Sequence, residues 1–361
     1  SSPDLIGIFP VTIYSDVFRL DVPRNAAIVT VKGFIEAGVQ AFESANLKFK
    51  LGYGEGSPFE KPIAVQRRPP YEAIHDPIRF IKFVDETDTL VAILVNYQGH
   101  PTHMPQSNTK VTGEYPSTLV QTLYHEFKTL KFASYFNGFC GDISLSSHKS
   151  YFHFILAGKS EEEAIDLAHD QLFELGKLMV QSFKEQLEKT PCSALSSLEV
   201  IAKPAIAEIG RGKPWKQRKT YYKGITEKAK ALIKDFKVKA TYVSLYAILR
   251  LFRKDRFPIL NIHRYKWKFY HITEFQIFKI NDILIASAPG EPFIIYNRFL
   301  QAHTKKHHLI CIEMANDTMG YIFPWSFHIV GGYEKTFGID PTFGKRLFEQ
   351  MAKEIVDLEN R

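Results

Sequence analysis

Four apolar segments of the sequence each run straight into a polar loop, and the loops carry residues that could do hydrolytic chemistry. Val91 to Val95 leads into Asn96-Tyr97-Gln98-Gly99-His100-Pro101-Thr102-His103, and Phe132 to Phe136 into Asn137-Gly138-Phe139-Cys140-Gly141-Asp142-Ile143-Ser144. Ile283 to Ala286 leads into Ser287-Ala288-Pro289-Gly290-Glu291, and Leu309 to Glu313 is followed by Asn316-Asp317-Thr318-Met319-Gly320-Tyr321. In layered α/β folds, residues at strand ends converge on one site. Imidazole and carboxylate suit a borderline cation, and a nearby hydroxyl can steer substrate. Each residue also has a plainer reading. A His before Pro is often a loop residue bonded to backbone. A Gly-Glu-Pro corner often caps the next helix, and Gly141 to Ser144 also reads as an Asx turn. No HExxH, Walker A, GxSxG or dinucleotide glycine pattern occurs, which removes those mechanisms.

The elements that must hold these loops follow from hydrophobic spacing. Asn25–Ala45, Ser117–Phe127, Phe293–His303 and Pro341–Leu358 read as helices. The clearest helix begins at Ser160, whose pairing with Glu163 makes a capping box, and runs to Lys189. Leu47–Leu51 and Ile78–Val84 alternate as strands, while Leu90–Val95 and Phe132–Phe136 read as buried strands. Phe275–Ile280, Ile283–Ala286 and Leu309–Glu313 are further strands. The expected fold is α/β, mixed α+β, with layered sheets, outer helices and catalytic loops at the strand ends.

The 361 residues are 45% hydrophobic and 24% charged, which excludes a disordered chain. The longest apolar run, Leu90–Val95, is far short of the ~18 residues of a membrane-spanning helix, so a soluble body is expected. Three scattered cysteines, Cys140, Cys192 and Cys311, make neither a disulfide framework nor a zinc knuckle and read as small buried hydrophobes. Arg211 to Lys268 carries 18 basic and 3 acidic residues, a local +15; with +7 for the whole chain, the remainder is −8. Such a stretch is either a solvated basic face or a surface for anionic partners. The start, Ser1-Ser2-Pro3-Asp4, lacks a Met, a basic n-region and an apolar h-region, so the chain is expected to begin inside a longer sequence.

At these loops the sequence resembles the neutral, non-lysosomal ceramidases. Val95-Asn96-Tyr97-Gln98-Gly99-His100-Pro101-Thr102 is similar to the family's V-N-W-x-x-H-P-T, and Asn137 to Ser144 to its N-x-G-D-V-S. Pro289-Gly290-Glu291-Pro292-Phe293 resembles its P-G-E-F, and Gln66-Arg67-Arg68-Pro69 its N-R-S-P. Asn316 to Tyr321 with Gly332-Tyr333-Glu334 and Phe337-Gly338 resembles its N-x-Y-x-x-Y…R-Y-E…Y-G, including two tyrosines twelve residues apart. These stretches occur in the family's order. Leu145-Ser146 departs from it where members have Pro-Asn, and His103 stands where they have Ser; His103 is either a loop residue or a second imidazole near the site. The stretch 195–270 does not match.

The resemblance implies a Zn²⁺-dependent amidohydrolase that cleaves the N-acyl bond of ceramide-like sphingolipids into sphingoid base and fatty acid. His100, Glu291 and Tyr321 are then the metal ligands, and Ser144, Arg67 and Tyr333 the catalytic residues. Ser144 is the nucleophile by position. With no His–Asp relay evident, the expectation is that water activated by the metal attacks while Ser144 orients or protonates. Arg67, Tyr333 or the metal would stabilise the oxyanion. The resemblance further implies that the chain starts just after a pair of family histidines, that residues 1–361 form one catalytic domain with a divergent basic insert at 200–270, and that the immunoglobulin-like C-terminal domain is absent. It implies a lipid partner and a secreted, periplasmic or membrane-associated location. Arg211–Lys268, where Tyr242, Leu245, Ile248 and Phe252 lie beside Arg250, Arg253 and Lys254, then reads either as peripheral membrane contact or as a packed helix with a basic outer face. A relative acting on another N-acyl or ester lipid, and a non-catalytic lipid-binding homologue, are the alternatives. No nucleic-acid module is recognisable.

Overall fold

The computed structural model describes residues 24–43, 48–105, 107–145, 150–211, 262–265, 268–330, 332, 334 and 338–361. Helix α1 (Arg24–Glu43) precedes strands β1 (Lys50–Glu55), β2 (Ala64–Gln66), β3 (Ala73–Ile74), β4 (Arg79–Val84) and β5 (Leu90–Tyr97). Helix α2 (Glu114–Glu126), strands β6 (Phe132–Asn137) and β7 (Ile143–Leu145), and helices α3 (Ser150–Leu156) and α4 (Glu161–Lys189) follow. Next come β8 (Ser193–Ala194), β9 (Leu198–Arg211), β10 (Ile262–Tyr265), β11 (Lys268–Ile280), β12 (Ile283–Ser287) and β13 (Glu291–Pro292). Helix α5 (Ile294–His303), β14 (His308–Ile312), β15 (Tyr321–Ile322), α6 (Trp325–Val330) and α7 (Pro341–Glu359) complete the order.

Two mixed sheets form the body. One has the order β6-β5-β4-β1-β8, antiparallel except for the β5–β6 pair. In the other, β11 pairs with β9 on one side and with β10 and then β12 on the other, and β12 runs parallel to β14. Side chains alternate between strand faces, so each sheet has two distinct surfaces to cover. Phe80, Ile93, Val95 and Tyr97 of the first sheet pack with Leu119 and Leu123 of α2 and Leu172, Met179 and Phe183 of α4. Leu284, Ala286, Leu309 and Cys311 of the second pack with Leu300 of α5 and Phe348, Met351 and Ile355 of α7. The opposite faces meet through Leu51, Ile81, Ile283 and Ile310. The result is the mixed α/β arrangement of layered sheets with outer helices that the hydrophobic pattern predicts.

The helix at Ser160 forms as its sequence dictates. The Ser160 side chain accepts from the Glu163 backbone N–H, and the Glu163 carboxylate accepts from the Ser160 N–H. At the other end, buried Lys82 donates to the Leu187 carbonyl at 2.7 Å, placing a cation on the negative end of α4. Three strands differ from expectation. β6 is not buried: it is the sheet's edge, and Phe132 is 53% exposed. β5 is covered fully on the helix side, but Leu90, Ala92 and Leu94 on its other face remain partly exposed. The strand expected at Leu47–Leu51 begins at Lys50. Among the described residues, no helix is long and apolar enough to cross a membrane.

Candidate active site and metal centre

Short backbone pairings, rather than the large sheets alone, gather the loops. β13 lies parallel to β15 with Glu291 in register with Tyr321, so their side chains leave on the same face. His100 makes a parallel bridge to Ser144 on β7, and β7 pairs with β2 immediately before Arg67. The Gly141 N–H donates to the Pro292 carbonyl at 2.9 Å, and the Glu313 N–H to the Asn137 carbonyl at 3.1 Å. Beneath the site, the Asn96 amide donates to the carbonyls of Phe136 (2.9 Å) and Cys311 (3.1 Å) and so ties the two sheets together. Gly141 permits a close approach: a Cβ there would stand 2.4 Å from the Glu291 carbonyl oxygen.

The structure thus brings His100 together with Glu291, Ser144 and Arg67, and sets Tyr321 in backbone register beside Glu291. His100 Nε2 lies 3.6 Å from Glu291 Oε2. Burial, with the positive charge of Arg67 nearby, pulls the imidazole down to about 3, so the ring is neutral at physiological pH. Arg67 donates from its backbone to the Asp142 carbonyl at 2.7 Å and from Nη2 to the Gly141 carbonyl. Its Nη2 is also 3.8 Å from Glu334, a fully buried carboxylate clamped by Arg68 through contacts of 3.0, 3.0 and 2.7 Å. Asp142 accepts from the first backbone N–H of α5 at 2.8 Å and from Gln66 at 2.9 Å. Burial pushes the Asp142 carboxyl up despite those two donors. Tyr333 lies outside the described residues, as does most of the basic stretch Arg211–Lys268, including all of 212–261.

Two residues beside His100 escaped the sequence reading. The Cys140 Sγ lies 3.4 Å from His100 Nδ1 and donates to Glu313 Oε1 at 3.1 Å, while the Cys140 N–H donates to Glu313 Oε2 at 3.0 Å. His100, Cys140 and Glu313 form a cluster whose ligand atoms all fall within 4.8 Å of one another. Burial, reinforced by the Glu313 charge, pushes the Cys140 thiol well up, so it keeps its proton. Cys140 is therefore more than a small buried hydrophobe; Cys311 is buried as expected and Cys192 is half-buried. The signal for Glu313 was a carboxylate closing an otherwise apolar strand. His103 is not a second imidazole at this site. It is buried against α4, with Nε2 3.1 Å from the Ala168 carbonyl, and its N–H donates to buried Glu114.

The donor set fits a divalent cation. Among the described residues, His100, Cys140 and Glu313 form the group of N, S and O donors close enough together to hold one ion, and Glu291 lies 3.6 Å from the other nitrogen of His100. No family model matches the sequence, and neither does any curated protein. Among solved structures, the chain is similar to the neutral ceramidase from Pseudomonas aeruginosa, with a TM-score of 0.59 and 15% identity over 90% of this chain and 55% of that one. It is also similar to a ceramidase complexed with C2, with a TM-score of 0.57 and 14% identity over 87% of this chain and 54% of that one. The chain thus spans about half the length of each. At these identities the likeness is one of fold: the chain has a ceramidase-like fold.

Proposed function

We propose that this chain carries the catalytic core of a zinc-dependent amidohydrolase that cleaves the N-acyl bond of ceramide-like sphingolipids. The observation that supports it best is the approach of His100 to Glu291, with Tyr321 in backbone register with Glu291 and Ser144 bridged to His100, on a ceramidase-like fold. In this reading His100, Glu291 and Tyr321 hold Zn²⁺. When bound, the metal supplies Lewis-acid activation at neutral pH.

The chain's own residues supply the rest. Ser144 is held on a strand beside His100, where its hydroxyl orients the reacting group or donates a proton to the leaving amine. Arg67, fixed between the Gly141 carbonyl and Glu334, presents positive charge to the oxyanion that develops on the amide carbonyl. Tyr333 is assigned as a second donor to that oxyanion. The lipid partner, contact of the basic stretch with an anionic membrane surface, and the treatment of 1–361 as one catalytic domain with an insert at 200–270 belong to the same proposal.

The test is zinc per chain by elemental analysis, on this chain and on a version extended upstream of Ser1, each with and without His100→Ala. The expected result is near-stoichiometric zinc that His100→Ala abolishes, together with release of fatty acid from N-acyl sphingosine by the zinc-loaded protein. No zinc in either length overturns the reading.

A further inference from the structure

The two ring nitrogens of His100 meet different partners. The Cys140 thiol has one hydrogen, which it gives to Glu313 Oε1 at 3.1 Å. Its sulfur is then an acceptor toward His100 Nδ1 at 3.4 Å, a contact that a ring proton on Nδ1 completes as a hydrogen bond. Glu313 is itself fixed, because its other oxygen accepts the Cys140 N–H at 3.0 Å and its own N–H is bonded to Asn137. Cys140 and Glu313 are buried, and the His100 side chain keeps 11% of its exposure. A neutral ring protonated at Nδ1 has a bare lone pair at Nε2, the nitrogen that faces Glu291.

We infer that Cys140 and Glu313 are positioning residues that lock His100 in the Nδ1–H tautomer and aim Nε2 at the cation site. The inference rests on the metal reading proposed above, but it concerns the ring's proton and orientation and is testable without metal. A histidine ligand commonly donates its other N–H directly to a carboxylate or carbonyl, and loss of that partner weakens metal binding by about 10–100-fold. Here a thiol stands between the ring and the carboxylate.

The experiment has two arms. In metal-free protein, long-range ¹H–¹⁵N NMR reads the His100 tautomer in wild type, Glu313→Gln, Cys140→Ala and Cys140→Ser, with circular dichroism confirming that each is folded. The expected result is Nδ1–H in wild type, mixed tautomers in Glu313→Gln and Cys140→Ala, and partial rescue in Cys140→Ser, whose hydroxyl can repeat both contacts. In the second arm, competition with a chromophoric chelator measures zinc affinity, which should fall about 10–100-fold in Glu313→Gln and Cys140→Ala. An Nε2–H tautomer in wild type, or variants with unchanged tautomer and affinity, overturns the inference. A cobalt-loaded wild type with a strong sulfur-to-metal charge-transfer band, abolished by Cys140→Ala, also overturns it and makes Cys140 a direct ligand. A wild type that binds neither zinc nor cobalt refutes the metal reading, while the tautomer in metal-free protein still decides the role of Cys140 and Glu313.

Discussion

Glu334 offers the sharpest energetic test of how the site is supported. Its carboxylate is fully buried, takes three contacts from Arg68, and lies 3.8 Å from Arg67 Nη2. Glu334→Ala leaves two guanidinium groups facing a hole. Breaking a buried pair typically costs about 3–5 kcal/mol. The Arg68 and Arg67 side chains keep 26% and 17% of their exposure, so water recovers part of that. The expected destabilisation is therefore about 2–4 kcal/mol. With ~2.1 cal/mol/K per residue over 361 residues, the unfolding entropy is about 0.76 kcal/mol/K, so the thermal midpoint should fall by about 3–5 °C. Urea denaturation of wild type, Glu334→Ala, Arg68→Met and the double variant closes a cycle, with an expected coupling of about 1.5–3 kcal/mol. A coupling below about 0.5 kcal/mol would show that water, not Glu334, balances Arg68, and would refute the reasoning.

Other expectations follow from single contacts. Burial pushes the Glu359 carboxyl up, but hydrogen bonds from His307 and the backbone N–H groups of Lys305 and Lys306 outweigh it and hold the group below its usual range. Its contribution is therefore present above the unfolded-state value of ~4.3 and lost as pH falls through the lower folded-state value. Glu359→Gln should cost about 1–3 kcal/mol at pH 7 and much less near pH 3; equal penalties at both would contradict the assignment. Gly141→Ala drives a methyl to 2.4 Å from the Glu291 carbonyl, so it should destabilise by about 1–3 kcal/mol and weaken zinc retention in equilibrium dialysis. Unchanged retention would mean that the Gly141–Pro292 link does not set Glu291. Ser160→Ala removes the α4 capping box and should lower stability by about 1 kcal/mol in urea titration, with no change in bound zinc.

Much of this was legible in the residues because local rules agreed with the tertiary outcome. The capping box at Ser160, the alternation of Ile78–Val84 and the strand-to-loop transitions before His100, Ser144, Glu291 and Tyr321 all state local geometry that packing then keeps. What the sequence could not show was adjacency made by short pairings. β2, β7, β13 and β15 are two or three residues long and have no periodicity of their own, yet they place Glu291 opposite Tyr321 and Ser144 beside His100. Cys140 and Glu313 lie 173 residues apart, and nothing local distinguishes a cysteine that bonds a distant carboxylate from one that fills space. The edge position of β6 was hidden for a related reason: an apolar run reads the same whether one neighbour covers it or two.

The β9–β11 ladder sets apart two parts of the molecule that can change independently. Pairing of β11 with β12 stops at Gln276–Ser287, where the chain turns into the site loops, but the pairing with β9 continues from Gln276 out to Lys268 opposite Arg211. Those further eight or so residues span roughly 26 Å at ~3.3 Å each. The chain departs from Arg211 at that far end on one flank of β11 and re-enters on the other at Ile262, opposite His271; two strand spacings and three residues along the strand put these ends about 14 Å apart. A segment whose ends are already held that close can double in length for only about 0.6 kcal/mol of closure entropy. The stalk therefore acts as a graft point on the side of the sheet that carries the Glu291 loop. Sequence grafted there can be exchanged while Glu291, Tyr321 and His100 keep their backbone pairings.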